Sequence, residues 1–212
     1  MAAEATIYVM ESANVICGDT GGKSTAGIST HLVLQELKLP GLEENYVDHA
    51  PGGAPIAIEI PTHMNKLEAT FNLAGWDPVI MSYIAREDPT KHRFTCYGLI
   101  RDRRTARAMQ ARAVIGGRMG RVNPTAFSKG NLMSHEYSIK SIVHYHLTIE
   151  LTAGQPSEIY YWDFFTSERR IGGKDQNADL IRTLAIPAQT TDRAGIPGAG
   201  SPTPPAEVIG VA

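Results

Sequence analysis

Residues 18–25, Gly-Asp-Thr-Gly-Gly-Lys-Ser-Thr, gather glycines, a lysine and hydroxyls in the manner of a phosphate-binding loop. Such a loop follows G-x-x-x-x-G-K-[ST] between a strand and a helix. Its backbone amides cradle phosphates and its lysine neutralises them. Here the spacing is one short: the residue five before Gly22 is Cys17, and Gly18 leaves only three residues between. The next segment, AGISTHLV, is poor helix material because of Gly27 and several β-branched residues. The reading is a flexible glycine-rich loop. A small nucleotide-binding enzyme built on residues 18–25 is the subordinate alternative.

His144 and His146 stand at i, i+2, a spacing that lets two imidazoles on one strand face share a metal. A third ligand such as His135 or Glu150 would have to converge on them, and no second cluster is evident. A solvated or interface-facing polar strand is the simpler reading. Arg101, Arg103, Arg104, Arg107, Arg112, Arg118 and Arg121 form a basic set that could meet phosphate or the carboxylates of another subunit. Base-stacking aromatics are not interleaved with them, as single-strand binders require. No serine elbow and no separate carboxylate pair stands out. No catalytic residue, metal ligand or cofactor is assigned.

The two cysteines, Cys17 and Cys96, are too few for a disulfide scaffold, and no C-x-x-C is present. Cys96 lies in the apolar run RFTCYGLI and is expected in the core. Cys17 opens the glycine-rich loop and is expected to be exposed, as a candidate for an intersubunit disulfide. The 212 residues are 42% apolar and 20% charged, in keeping with a folded chain. A net charge of -2 argues against a protein that wraps nucleic acid tightly. No apolar run approaches the ~18–20 residues of a membrane span. The first residues, MAAEATIYVMES, lack the basic start and apolar core of a signal peptide, so folding in a cytoplasm is expected.

Apolar alternation then marks the elements. Residues 6–17 read as a strand and 32–39 as strand or helix, stopped by Pro40-Gly41. Residues 43–55 are polar and contain Pro51-Gly52-Gly53, so they read as a long loop. Ile56, Ile58 and Ile60 share one strand face. Leu67, Ala69, Phe71 and Leu73 alternate with Glu68, Thr70 and Asn72 as a half-buried strand. Asp77 suits a helix N-cap and Pro78 its first position, with Val79, Ile80, Tyr83 and Ile84 as the apolar stripe. Residues 93–101 and 109–122 read as strands around the turn RDRRTAR. Residues 135–151 give the longest strand signal, with Tyr137, Ile139, Val143, Tyr145, Leu147, Ile149 and Leu151 on one face. At ~3.3 Å per residue it spans roughly 50 Å, so a bend or bulge is expected. Residues 159–165 return as an aromatic strand, and 175–186 read as a short amphipathic helix. From residue 188 the chain turns to Pro, Gly, Ala and Thr, with little to build a core.

The turn Leu39-Pro40-Gly41-Leu42, the loop 44–53 with its glycine pair, the module 56–84 containing KLEATFNLAGWDP, the strand 112–122, the hairpin 137–165 and the helix 175–185 follow one another in an order that resembles the major tail tube proteins of contractile-tailed bacteriophages. The resemblance covers residues 30–185. It implies a mainly β fold, an antiparallel barrel or sandwich with one flanking helix and a short C-terminal helix. It divides the chain into an extension at 1–30, a tube domain at 31–187 and a tail at 188–212. It further implies a structural virion protein and no cofactor. Six copies would form a ring, and rings would stack into a tube through which genomic DNA passes without specific binding. A contractile sheath would lie outside, with a baseplate and a tail terminator at the ends. Assembly would occur in the host cytoplasm, with no membrane involved. The inter-ring stacking loop would hold Leu39, Pro40, Glu43, Glu44, Tyr46, Asp48, His49, Gly52 and Gly53. Glu59, Glu68, Thr70 and Asn72 are candidates for the lumen face, and Cys17 for a disulfide to the sheath. The tube of a phage-derived injection device would share this logic without carrying DNA. Residues 18–25 and the tail look like additions to the family pattern, expected outside the tube where they would reinforce subunit or ring contacts.

Overall fold

The computed structural model describes residues 7–18, 27–50, 52–53, 56–84, 91–126, 128–130, 132–152 and 155–186. The strands are β1 (Tyr8–Cys17), β2 (Ile28–Ser29), β3 (Leu34–Lys38), β4 (Glu44–His49), β5 (Ile58–Met64), β6 (Ala69–Leu73), β7 (His92–Asp102), β8 (Ala108–Pro124), β9 (His135–Thr152), β10 (Gln155–Asp163), β11 (Glu168–Ile171) and β12 (Lys174–Asp175). Two short helices, α1 (Pro78–Met81) and α2 (Ala178–Thr183), complete the described part. The fold is mainly β and antiparallel, as expected.

One ten-stranded sheet carries the architecture, in the order β12-β11-β10-β9-β8-β7-β1-β2, with β6 also on β9 and β3 on β6. The long strand β9 is the hub. Its first half, residues 135–139, pairs with β6, and its second half, residues 144–152, pairs with β10. β8 runs along its other side throughout. Between these halves β9 carries two residues more than β8, since Gly116 pairs with His144 but Arg118 with Lys140. Ser141 takes a φ of 49° there, and Lys91 Nζ donates to its hydroxyl at 2.7 Å. This is the anticipated bulge. It also interrupts the alternation locally, so Ile142 is buried and Val143 only half-buried, while Tyr145 beyond it returns to the core face. Gly117 faces the bulge, where an added Cβ would come within 2.9 Å of Ile139 Cγ2 and 3.0 Å of the Lys140 carbonyl oxygen.

The core lies on one face of the sheet. Phe71, Leu73, Phe94, Ile115, Tyr137, Ile139 and Tyr145 are its largest members, and Ile80 of α1 caps it. Phe71 stacks on Tyr137 with ring centroids 5.2 Å apart. α1 starts as expected: the Asp77 carboxylate accepts from the amides of Val79 and Ile80, and Pro78 follows. The helix is only one turn long, and Val79 faces solvent. α2 is likewise shorter than the expected 175–186 helix, because Asp175 is spent in β12.

Two expectations fail here. Residues 43–55 are not a loop throughout: residues 44–49 form β4, paired with β5 in a two-stranded sheet that joins no strand of the large one. Chain reversal at Gly52-Gly53 is retained as a turn. Cys17 is not exposed. It ends β1 inside the core at 0% accessibility, beside Cys96 at 3%. Burial pushes both thiols up, Cys96 to about 12. That burial removes the ground for a disulfide from Cys17 to another subunit or to a sheath. Residues 19–26, most of the glycine-rich loop, and the tail from 187 onward lie outside the described residues.

Because Phe71 packs in the seam between β6 and β9, Phe71→Ala is expected to destabilise the chain by about 3–5 kcal/mol. Urea denaturation followed by tyrosine and tryptophan fluorescence measures this.

Candidate functional site

Among the described residues no cleft with convergent catalytic groups emerges, so the residues of interest are those on exposed elements. The β4–β5 hairpin is the most exposed of these, and it forms an arm. Val47 pairs with Ile60, and His49 with Ile58. Residues opposite each other across a ladder share a face. One face of the arm is therefore apolar, with Val47, Ile58 and Ile60 at 55%, 56% and 43% accessibility. Asp48 pairs with Glu59 on the opposite face. Ile56 is more exposed still, at 75%. Ile58 and Ile60 do share a strand face, as the alternation suggests, but Ile56 lies before β5, whose first residue is Ile58, and all three are exposed. Among the described residues the arm's tie to the body is slight: the Asn65 amide only closes the hairpin's base on the Glu43 carbonyl, and Arg169 reaches Glu44 at 3.6 Å.

Of the expected stacking residues, Glu44, Tyr46, Asp48 and His49 lie on β4, with Glu43 just before it and Gly52 and Gly53 at the turn. Tyr46 donates to Glu44 at 3.2 Å. Leu39 and Pro40 are apart from these, at the arm's root, where Leu39 packs against the core.

The candidate lumen residues separate into two places. Glu68, Thr70 and Asn72 lie together on the side of β6 away from the core. Glu59 does not join them, because it belongs to the arm. Around β6 the polar face is closely paired. Asn72 donates to Glu36 at 3.0 Å, Ser138 donates to Glu68 at 3.0 Å, Lys140 meets Glu68 at 3.5 Å, and Arg121 meets Glu136 at 3.0 Å.

The same face continues across β9, β10 and β11 in a network that the sequence did not reveal. His144 Nδ1 donates to Asp163 at 3.0 Å, and both side chains are nearly fully buried. Asp163 also accepts from the amides of Phe165 and Thr166 at 2.9 and 3.1 Å. Burial alone would raise its carboxyl, but these hydrogen bonds outweigh it and hold the group below the usual carboxylate range. Next to it, Arg170 forks onto Glu158 at 3.0 and 3.1 Å, reaches Glu168 at 2.9 Å, and lies 3.7 Å over the Tyr161 ring. His146 approaches Glu158 at 3.2 Å, and burial lowers its basicity. The two histidines of the metal reading thus each face a carboxylate on β10. Among the described residues no group of three His, Cys, Asp or Glu is disposed to hold a metal. The only sequence signal for this network is the matched register of β9, β10 and β11, which cannot be known before the strands are paired.

The arginines at the β7–β8 turn are partly spent on local structure. Arg101 pairs with Glu11 at 2.8 Å, and Arg107 donates to the Leu151 carbonyl at 3.0 Å. Asp102 fastens the turn by accepting from the Arg104 amide and the Thr105 hydroxyl. No helix of the described residues is long and apolar enough to cross a membrane.

The described residues thus form an antiparallel β body with an exposed amphipathic arm. The profile of the family described as phage tail tube protein FII matches residues 25–184, and the chain belongs to that family. It is a structural component of a tail tube and not an enzyme. No relative was found among curated proteins. Among solved structures, a chain of the "Cryo-EM structure of the anti-feeding prophage (AFP) baseplate, 6-fold symmetrised" is similar at 8% identity, covering 69% of this chain and 95% of that one, with a TM-score of 0.41.

The pH response of the buried pair follows from its sign. Asp163 has a depressed folded value, so its contribution is complete above the unfolded carboxylate pKa of about 3.9 and is lost as the pH falls through the folded value. Asp163→Asn is expected to flatten the acid side of the stability profile and to cost stability at pH 7. Thermal melts from pH 7 to pH 3 on both proteins measure the difference.

Proposed function

We propose that six copies close into a ring and that rings stack into the inner tube of a contractile phage tail, the conduit for genomic DNA. The arm carries this reading: a hairpin with an uncovered apolar face, held to its own body by few contacts, is suited to bury that face on another copy. Glu43, Glu44, Tyr46, Asp48, His49, Gly52 and Gly53 then lie at the ring-to-ring contact.

Open edges support closure of the ring. β1 pairs along its length with β7, but on its other side it meets β2 only at Ile16 and Cys17. At the far end of the sheet, β12 is two residues long. Unpaired strand edges recruit further strands, and a closed ring of subunits satisfies all of them at once. The polar face around Glu68, Thr70 and Asn72 suits a lumen. Its cations are matched by carboxylates, which leaves DNA phosphates little to bind. The exposed Leu180 and Leu184 of α2 are available for contacts on other surfaces, including those to a sheath. A baseplate and a terminator cap the tube ends, and the tube forms in the host cytoplasm as part of the virion tail.

Electron microscopy of concentrated purified protein is expected to show hollow stacked tubes with six-fold end views. The triple variant V47S/I58S/I60S changes only exposed positions, so it should fold with little change in Tm but fail to stack. Normal tubes from that variant would reject the arm as the stacking element.

A further inference from the structure

At the opposite end of β6 from the arm lies a cavity of about 460 Å³, lined among others by Trp76, Pro124, Thr125, Leu132, Met133 and His135. His135 is 1% accessible, yet neither of its ring nitrogens has a hydrogen-bond partner among the described residues. A neutral imidazole carries one donor and one acceptor, and leaving both unmet in a buried site is costly. Trp76 packs on the ring at a centroid distance of 4.0 Å while remaining 52% exposed. Leu132 and Met133 stand beside it at 73% and 44% accessibility. The site is thus an apolar hollow with a polar floor that wants a partner.

The register of β6 relates this hollow to the arm. Ala69, at the arm end, pairs with Ile139, and Leu73, at the hollow end, pairs with His135. The arm enters through residues 65–68, before Ala69, and Trp76 follows Leu73. A protruding element at one end and a receptor at the other make a head-to-tail contact that repeats without closing, which generates a stack. The chemistry also matches. The arm offers Val47, Ile58 and Ile60 to an apolar hollow. Charge is complementary as well. Residues 42–65 contain Glu43, Glu44, Asp48 and Glu59 and no lysine or arginine, whereas residues 117–135 contain Arg118, Arg121 and Lys129 and no carboxylate. Arg121 already pairs with Glu136, while Lys129 is exposed next to the hollow's Ser128.

We propose that the Trp76–His135 hollow of one copy receives the Val47, Ile58 and Ile60 face of the arm of a second copy, in a head-to-tail contact. This rests on the reading of the arm as the stacking element and names its receptor.

Cysteine cross-linking tests it. The native Cys17 and Cys96 are buried, which keeps background low. Ile58→Cys and Leu132→Cys are made separately, both at exposed positions, and mixed under mild oxidation from dilute to concentrated protein. A disulfide-linked pair of copies is expected, rising with concentration and exceeding by about tenfold the yield from Ile58→Cys mixed with Arg104→Cys, as a seated contact exceeds chance encounter. No Ile58–Leu132 product at any concentration overturns the proposal. A dominant product with Arg104→Cys also overturns it, but leaves the arm as a stacking element that docks on the arginine turn instead. Normal tubes from V47S/I58S/I60S would overturn the stacking role itself, and the receptor with it.

Discussion

The structure depends on one strand serving three partners. β9 has 18 residues, and a straight strand of that length would run about 60 Å, longer than so small a domain can cover. The two extra residues at Lys140–His144 let it bend, so that β6 and β10 occupy different halves of the same edge. The left-handed conformation of Ser141 and the missing side chain of Gly117 are the local conditions for that bend. Tyr137 and Tyr145 keep the same face on either side of it, because two extra residues preserve the two-residue alternation.

The bend also determines what the chain leaves uncovered. β6 ends against the first half of β9, so the segment before it departs from the sheet as the arm, rooted near Tyr160, Trp162 and Arg169. The segment after it turns through Trp76 and the one-turn α1 to close the core. Among the described residues the arm's apolar face therefore has nothing to pack on. The large sheet likewise ends in the two-residue β2, paired with β1 at Ile16 and Cys17, on one side and in the two-residue β12 on the other. Apolar surface and strand edges are thus left uncovered among the described residues.

Electrostatics follow a second logic. Along the face opposite the core, nearly every described charge has a partner across the strands: Glu68 with Lys140, Glu136 with Arg121, Asp163 with His144, and Glu158 with Arg170 and His146. Cross-strand pairing of this sort fixes register, since a slip of one residue would place like beside like or send the charges into the core. It also leaves a face of mixed and balanced charge.

By itself the sequence determined the local elements whose signals are short-range. A strand within 67–73 with buried Ala69, Phe71 and Leu73, observed as 69–73, the Asp77-Pro78 helix start, the strands on either side of RDRRTAR, and the length of β9 all follow from alternation, capping and turn chemistry. The order of these features was also enough to suggest the family. Pairing was beyond it. Residues 44–49, Glu-Asn-Tyr-Val-Asp-His, hold too little apolar content to read as a strand, and become one only because β5 lies alongside. Ile56, Ile58 and Ile60 declare an apolar face but not what covers it. Cys17 reads as a loop residue until β1 is seen to carry it into the core. The His144–Asp163 and Glu158–Arg170 contacts depend on the register of three strands. Such properties are non-local: they arise when distant segments meet, and only the tertiary structure decides which segments those are.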